Sequence, residues 1–140
     1  MNRKTSGFTL IEFIIIIAIA SSLIALSVVG GIRFKDSLEY SSSVNQVLSD
    51  VKLTQQLAQS SSQLCRIEFR AGKNLYAITK GGNLYRTSTA GGNIQFFGKS
   101  YFNFVPSGCT DVGGSGTLFI GGASKVKKII VSSKGRIRIE

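Results

Sequence analysis

The chain has 140 residues, enough for one domain of ordinary size, and a formal net charge of +10 at pH 7. It contains no histidine, so the usual general base and the commonest metal ligand are missing, and its two cysteines are too few for a zinc site. Asp111 is the only aspartate of the C-terminal half, and Glu68 lies within a predicted strand, so no pair of catalytic carboxylates is expected. We therefore expect no catalytic residues, no bound metal or cofactor and no enzymatic activity.

The first predicted element is a membrane helix over residues 8–32. This segment is largely apolar, its only charged residue is Glu12, and it is longer than the roughly 20 residues that cross a bilayer. Arg3 and Lys4 precede it, so the positive-inside rule keeps the start of the chain in the cytoplasm and lets the rest cross. We therefore predict a single membrane span followed by an exported domain.

Two conventional explanations of this segment are weaker. A secretory signal would end at the small-x-small sequence Ala18-Ile19-Ala20, but strong hydrophobicity resumes from Leu23 to Val29. A plain membrane anchor leaves Glu12 unexplained, because an unpaired carboxylate within a bilayer is expensive. A proton-relay role for Glu12 would need other ionisable groups in the segment, and the sequence has none there.

The stretch "SGFTLIEF" resembles the type III signal of type IV pilins and type II secretion pseudopilins, and Gly7 to Glu12 match it throughout. The resemblance implies that residues 1–7 are a leader, that a prepilin peptidase cuts between Gly7 and Phe8, and that the new amine of Phe8 is methylated. It also implies that Glu12 pairs with the N-terminal amine of a neighbouring subunit. Such a pairing would make its charge tolerable in lipid.

The same resemblance implies where the protein is and what it contacts. It would be held in the bacterial inner membrane as a single-pass protein, with its soluble domain in the periplasm or outside the membrane. It would then join a pilus or pseudopilus. The implied partners are other pilins or pseudopilins, the prepilin peptidase and the inner membrane.

Residues 33–63 are predicted to continue as an amphipathic helix. One apolar stripe collects the side chains of Val44, Val47, Leu48, Val51 and Ala58. Leu53, Leu57 and Leu64 fall roughly opposite. A helix lying on its own sheet needs one apolar face, so the second face indicates neighbouring subunits, or else a sheet that wraps around the helix.

Residues 64–140 change to a period of two, which predicts a head of short antiparallel strands. The predicted strands are CRIEFR, LYAIT, NLYRTS, NIQFF, YFNFV, TLFI, VKKIIV and RIRIE. Glycine-rich sequences such as KGGN and AGGN separate them and indicate turns, because no helix follows to make them phosphate-binding loops. Cys65 and Cys109 in an exported domain predict one disulfide; the alternative is two separate buried thiols.

A membrane helix, its amphipathic continuation and a β-rich head make an α+β, pilin-like fold, with the long helix packed on a C-terminal antiparallel sheet. The ending "KKIIVSSKGRIRIE" resembles the FimT/GspH group of minor pilins and pseudopilins, whose last strand carries Gly-Arg-x-Arg. Gly135, Arg136 and Arg138 match this pattern.

The C-terminal hairpin is the candidate binding site. Arg136 and Arg138 would project from one face of the last strand, about 6.6 Å apart, close to the spacing of consecutive phosphates on a nucleic-acid strand. The neighbouring basic residues are Lys125, Lys127, Lys128 and Lys134. The resemblance implies sequence-independent DNA capture in natural transformation. The alternative is a solvated strand face in a structural type II secretion pseudopilin that binds no nucleic acid.

Overall fold

The computed structural model describes residues 9–122 and 125–140, with the backbone alone for residues 26–33. Within these ranges the chain forms one α-helix followed by β-strands. The elements are α1 (Leu10–Ser61), β1 (Cys65–Phe69), β2 (Leu75–Lys80), β3 (Asn83–Thr89), β4 (Gln95–Gly98), β5 (Tyr101–Phe104), β6 (Gly116–Gly121), β7 (Val126–Val131) and β8 (Ile137–Ile139). The α+β prediction is confirmed, and each predicted strand segment overlaps an observed strand.

The chain divides into two compact units, residues 1–37 and residues 38–140. In the first unit, α1 begins where the carbonyl oxygen of Thr9 accepts hydrogen bonds from the amides of Glu12 and Phe13. The isoleucines at positions 14–17 are each about half exposed, at 49–55%. Among the described residues, no helix combines the length and apolar character required of a membrane span. The predicted leader, residues 1–7, lies outside the described residues.

In the second unit, the C-terminal part of α1 lies on the sheets through the predicted stripe. Val44, Val47, Val51 and Ala58 are buried, and Leu48 packs beside them partly exposed. The second predicted apolar face is only partly buried. Leu57 also packs against the core, whereas Leu64 is 39% exposed.

Two antiparallel sheets complete the head. The first sheet has the order β3-β2-β1-β5 and the second has the order β4-β6-β7-β8. The strand register shows which side chains share the inner face of each sheet. In the first sheet Ile67 lies opposite Ile78 and Phe102, and in the second sheet Ile129 lies opposite Leu118 and Ile139. The aromatic rings of Phe69, Tyr76, Phe96 and Phe102 lie 5.2–6.0 Å apart and join the two sheets in one core.

The predicted disulfide is not formed in this fold, where Cys65 and Cys109 are both free thiols. The reason is the register of the first sheet. Cys65 lies opposite Phe104 of β5, and Phe104 lies opposite Thr110 on its other side. Strand β5 therefore separates the cysteines by about two strand spacings, roughly 10 Å, and a disulfide bridges Cα atoms less than about 7 Å apart. Burial raises the pKa of the Cys65 thiol.

Candidate functional site

The β7–β8 hairpin separates its apolar and basic side chains onto two faces. Ile137 lies opposite Val131, which is buried, and itself packs against the core. Arg138 lies opposite Ile130 on the other face, and Arg136 precedes it by two positions and is also exposed. The two guanidinium groups therefore project from the outer surface of the second sheet. Among the described residues, neither guanidinium group lies within ion-pair distance of a carboxylate.

Lys128 is the third basic residue on this outer face, and it is neutralised there. Its backbone exchanges two hydrogen bonds with Glu140, and its Nζ lies 2.8 Å from a carboxylate oxygen of Glu140. The hydrogen bond from Lys128 and its charge hold the pKa of the Glu140 carboxyl below its usual range. Removal of the Glu140 charge is thus expected to release a cation on this face.

The other predicted basic residues do not join this cluster. Lys127 lies opposite Ile120, on the register of the inner face, and is exposed. Lys134 is exposed in the turn between β7 and β8, and Lys125 is exposed just before β7, at the other end of the hairpin. The predicted set of six therefore divides into an outer-face group, Lys128, Arg136 and Arg138, and three residues elsewhere on the hairpin.

The turn of the hairpin is held against the head by contacts that the sequence did not indicate. Gly135 has a φ of +76°, and a Cβ there would collide with the carbonyl oxygen of Gly108. The side-chain amide of Gln55, on α1, donates hydrogen bonds to the carbonyl oxygens of Gly108 (2.7 Å) and Gly135 (2.8 Å). Gly135 therefore packs the turn against the head and fixes the position of Arg136, which directly precedes β8.

A second cationic cluster lies on strand β1 and around β5. The guanidinium carbon of Arg66 lies 4.9 Å from the ring centre of Tyr101, and Nζ of Lys99 lies 4.6 Å from it. Arg66 also donates a 2.7 Å hydrogen bond to the side-chain oxygen of Asn103. Sequence reasoning missed this cluster. The alternation of "CRIEFR" placed Arg66 outside, but nothing local showed that β5 pairs with β1.

A buried acidic group lies between α1 and the first sheet. Asp50 on α1 is 5% exposed and accepts a 2.5 Å hydrogen bond from the hydroxyl of Tyr76. Arg86 of β3 reaches the same carboxylate oxygen at 3.4 Å. Burial, and then the hydrogen bond with Asp50, raises the pKa of Tyr76. This carboxylate joins the helix to the first sheet.

The N-terminal sequence and the fold have independent likenesses to known proteins. Residues 2–28 match the prokaryotic N-terminal methylation motif. The fold matches crystal structures of the type IV minor pilin FimU of Pseudomonas aeruginosa strain PAO1. The chain thus joins an N-terminal methylation motif to a fold like that of a type IV minor pilin.

The two FimU crystal forms agree closely in this likeness. For the P21 form the TM-score is 0.63 at 15% identity, covering 76% of this chain and 92% of FimU. For the P65 form the TM-score is 0.59 at 16% identity, covering 71% and 91%. No curated protein matches the pilin-like chain by sequence. At this level of identity, FimU establishes the fold.

The residues of the pilin signal lie at, or before, the start of the described part of the chain. Gly7 and Phe8, the predicted cleavage and methylation positions, lie outside the described residues. Glu12 lies in the first turn of α1 and is exposed. An acidic side chain in a first turn also complements the helix dipole. Its pairing with a neighbouring subunit remains a prediction. Within the described ranges, no three or more acidic or cysteine side chains are grouped as metal ligands would be.

Proposed function

We propose that this pilin-like chain is a minor subunit of a type IV filament. It is processed between Gly7 and Phe8, methylated at Phe8, and anchored in the bacterial inner membrane by residues 8–32 before assembly. The observation that carries this proposal is the methylation motif at residues 2–28 joined to a fold that matches a type IV minor pilin. In the filament, Glu12 of one subunit pairs with the N-terminal amine of the next.

Intact mass spectrometry of the membrane-extracted protein tests this processing. The protein is isolated from cells with a prepilin peptidase and from matched cells without one. We expect a chain that starts at Phe8 with one added methyl group in the first case, and the unprocessed chain in the second. A chain that starts at Ser21, or at Met1 in peptidase-containing cells, would contradict the proposal.

We further propose that the subunit is of the FimT/GspH type and captures DNA through the outer face of its C-terminal hairpin. Three arrangements support this proposal. Arg136 and Arg138 project outward without a described ion-pair partner, the seated turn at Gly135 holds them in place, and Lys128 lies beside them. Exposed cations at strand spacing suit contacts with phosphates, which bind without reading sequence.

A second candidate function is a purely structural pseudopilin of a type II secretion system. The contacts of Gly135 favour it, because they explain the glycine of the Gly-Arg ending by packing alone. The Lys128–Glu140 pair also reduces the charge of the hairpin. The two candidates differ in one property, which is affinity for nucleic acid at low salt.

A mobility-shift titration with the full chain in neutral detergent separates them. Wild type and the Arg136→Ala, Arg138→Ala double variant are compared on a labelled DNA at low salt. For DNA capture we expect the double variant to bind about tenfold or more weakly, since two charge-assisted phosphate contacts are lost. No binding by the wild type, or equal binding by both, would favour the structural pseudopilin.

A further inference from the structure

The outer face of the second sheet carries two exposed aromatic rings beside the basic hairpin. Phe97 of β4 lies directly opposite Phe119 of β6, and Phe119 lies directly opposite Lys128 of β7. The rings are 48% and 40% exposed. Side chains opposite one another in antiparallel strands have Cβ atoms about 4.5–5.5 Å apart, so the two rings and the lysine form one row across the sheet.

Two glycines leave room for these rings to lie against the sheet. A Cβ at Gly98 would lie 2.9 Å from Cδ2 of Phe119, and a Cβ at Gly121 would lie 3.0 Å from Cε2 of Phe97. Each ring therefore covers a glycine of the neighbouring strand. The remaining ring surface faces solvent, whereas the aromatic rings of the core are covered on all sides.

A cleft lies beside this row of side chains. The next row of the sheet consists of Gln95, Gly121 and Val126, and because Gly121 has no side chain there is a gap between the other two. The cleft measures about 280 Å³ and is lined by Asn93, Gln95, Phe97, Gly121, Gly122 and Val126. This volume lies just below that of pockets that enclose drug-sized ligands, about 300–1,000 Å³, which suits a single planar group.

Basic side chains of β7 and β8 lie next to the two rings on the outer face. Lys128 lies in the row itself, where it is paired with Glu140, and Arg138 lies on the neighbouring row, opposite Ile130. Arg136 precedes Arg138 by two positions and lies on the same face. The outer face thus presents an amide-lined cleft, two exposed rings and the two arginines Arg136 and Arg138.

We propose that this face binds single-stranded nucleic acid, with bases stacked on Phe97 and Phe119 and phosphates held by Arg136 and Arg138. Exposed rings beside a cationic track are the elements of sequence-tolerant single-strand binding. The side-chain amides of Asn93 and Gln95 can reach base edges, which are accessible in a single strand and paired in a duplex. This inference rests on the proposed DNA capture and specifies its substrate.

The test compares three probes on the full chain in neutral detergent. The probes are a labelled oligothymidylate of about 16 nucleotides, the upper end of the site size of one single-strand-binding domain, the same length as a duplex, and heparin, a polyanion without bases. The variants are Phe97→Leu and Phe119→Leu, which keep an apolar side chain and remove the ring. Tyr85→Leu, at a 52% exposed tyrosine of the first sheet, is the matched control.

We expect each phenylalanine variant to bind the single strand about tenfold more weakly, with heparin affinity and the Tyr85→Leu variant unchanged. Duplex affinity should be lower than single-strand affinity in the wild type. If duplex and single strand bind equally and the phenylalanine variants bind both as the wild type does, this inference is overturned while DNA capture stands. If neither DNA nor heparin binds, both fail.

Discussion

The two sheets of the head use their charged side chains in opposite ways. In the first sheet, Arg86 and Tyr76 converge on the buried carboxylate of Asp50, between sheet and helix. In the second sheet, Arg136 and Arg138 project from the outer face, away from the core. A charged strand residue that reaches the helix, such as Arg86, stabilises the fold through an ion pair. A charged residue on the face away from the helix, such as Arg138, stays exposed and available for binding.

The largest effect on stability is expected for Asp50→Ala. The change leaves the hydroxyl of Tyr76 buried without its partner and removes the ion pair with Arg86. We expect a loss of about 2–3 kcal/mol in the free energy of unfolding, discounted because Arg86 is 45% exposed. Urea unfolding measures it. Asp50→Asn keeps an acceptor and should lose less, and DNA affinity should be unchanged in both.

Gly135→Ala is expected to affect stability and DNA binding together. The new Cβ is strained at a φ of +76° and also meets the carbonyl oxygen of Gly108. We expect a loss of about 2 kcal/mol and weaker DNA binding. Gly72→Ala is the matched control, since its φ is +70° and nothing lies within 4 Å. It should lose about 1 kcal/mol, from strain alone. Equal losses would show that the turn is not seated on Gly108.

The Tyr76–Asp50 contact predicts a pH dependence of stability at alkaline pH. Because the folded-state pKa of Tyr76 is raised, its stabilising contribution is fully present below the unfolded value of about 10 and is lost as the pH rises above it. The difference in unfolding free energy between wild type and Tyr76→Phe should therefore shrink above about pH 10. A constant difference across that range would contradict the burial of the neutral hydroxyl.

Glu140→Gln is expected to give the smallest effect, and it is an increase. The substitution removes the carboxylate that neutralises Lys128 and so adds a cation to the outer face. We expect DNA affinity to rise a few-fold at low salt, with a steeper salt dependence. Fluorescence anisotropy titrations at several salt concentrations measure both quantities. Unchanged affinity would place Lys128 outside the binding surface.

The sequence predicted the strands and the helix stripe because both depend on local periodicity. The alternation of Arg136, Ile137 and Arg138 correctly placed the arginines outside. Contacts between distant segments were not accessible in the same way. The clamp of Gln55 on Gly108 and Gly135, and the stacking of Arg66 on Tyr101, depend on which strands become neighbours.

The predicted disulfide is absent for the same reason, which is that it depends on contacts between distant segments. The number of cysteines is a property of composition, whereas bond formation depends on which strands become neighbours. The pairing of β1 with β5 puts a strand between Cys65 and Cys109. The aromatic row of Phe97 and Phe119 was likewise hidden, because "NIQFF" and "TLFI" become partners only through the pairing of β4 with β6.

The salt dependence of DNA binding tests most directly the claim that the second sheet carries an exposed, functional charge. The dissociation constant of the full chain is measured over a range of salt concentrations for wild type and for the Arg136→Ala, Arg138→Ala variant, together with urea unfolding. We predict that the slope of log affinity against log salt falls by about 2, one for each phosphate contact, while the unfolding free energy changes by no more than about 0.5 kcal/mol per site. An unchanged slope would contradict the account.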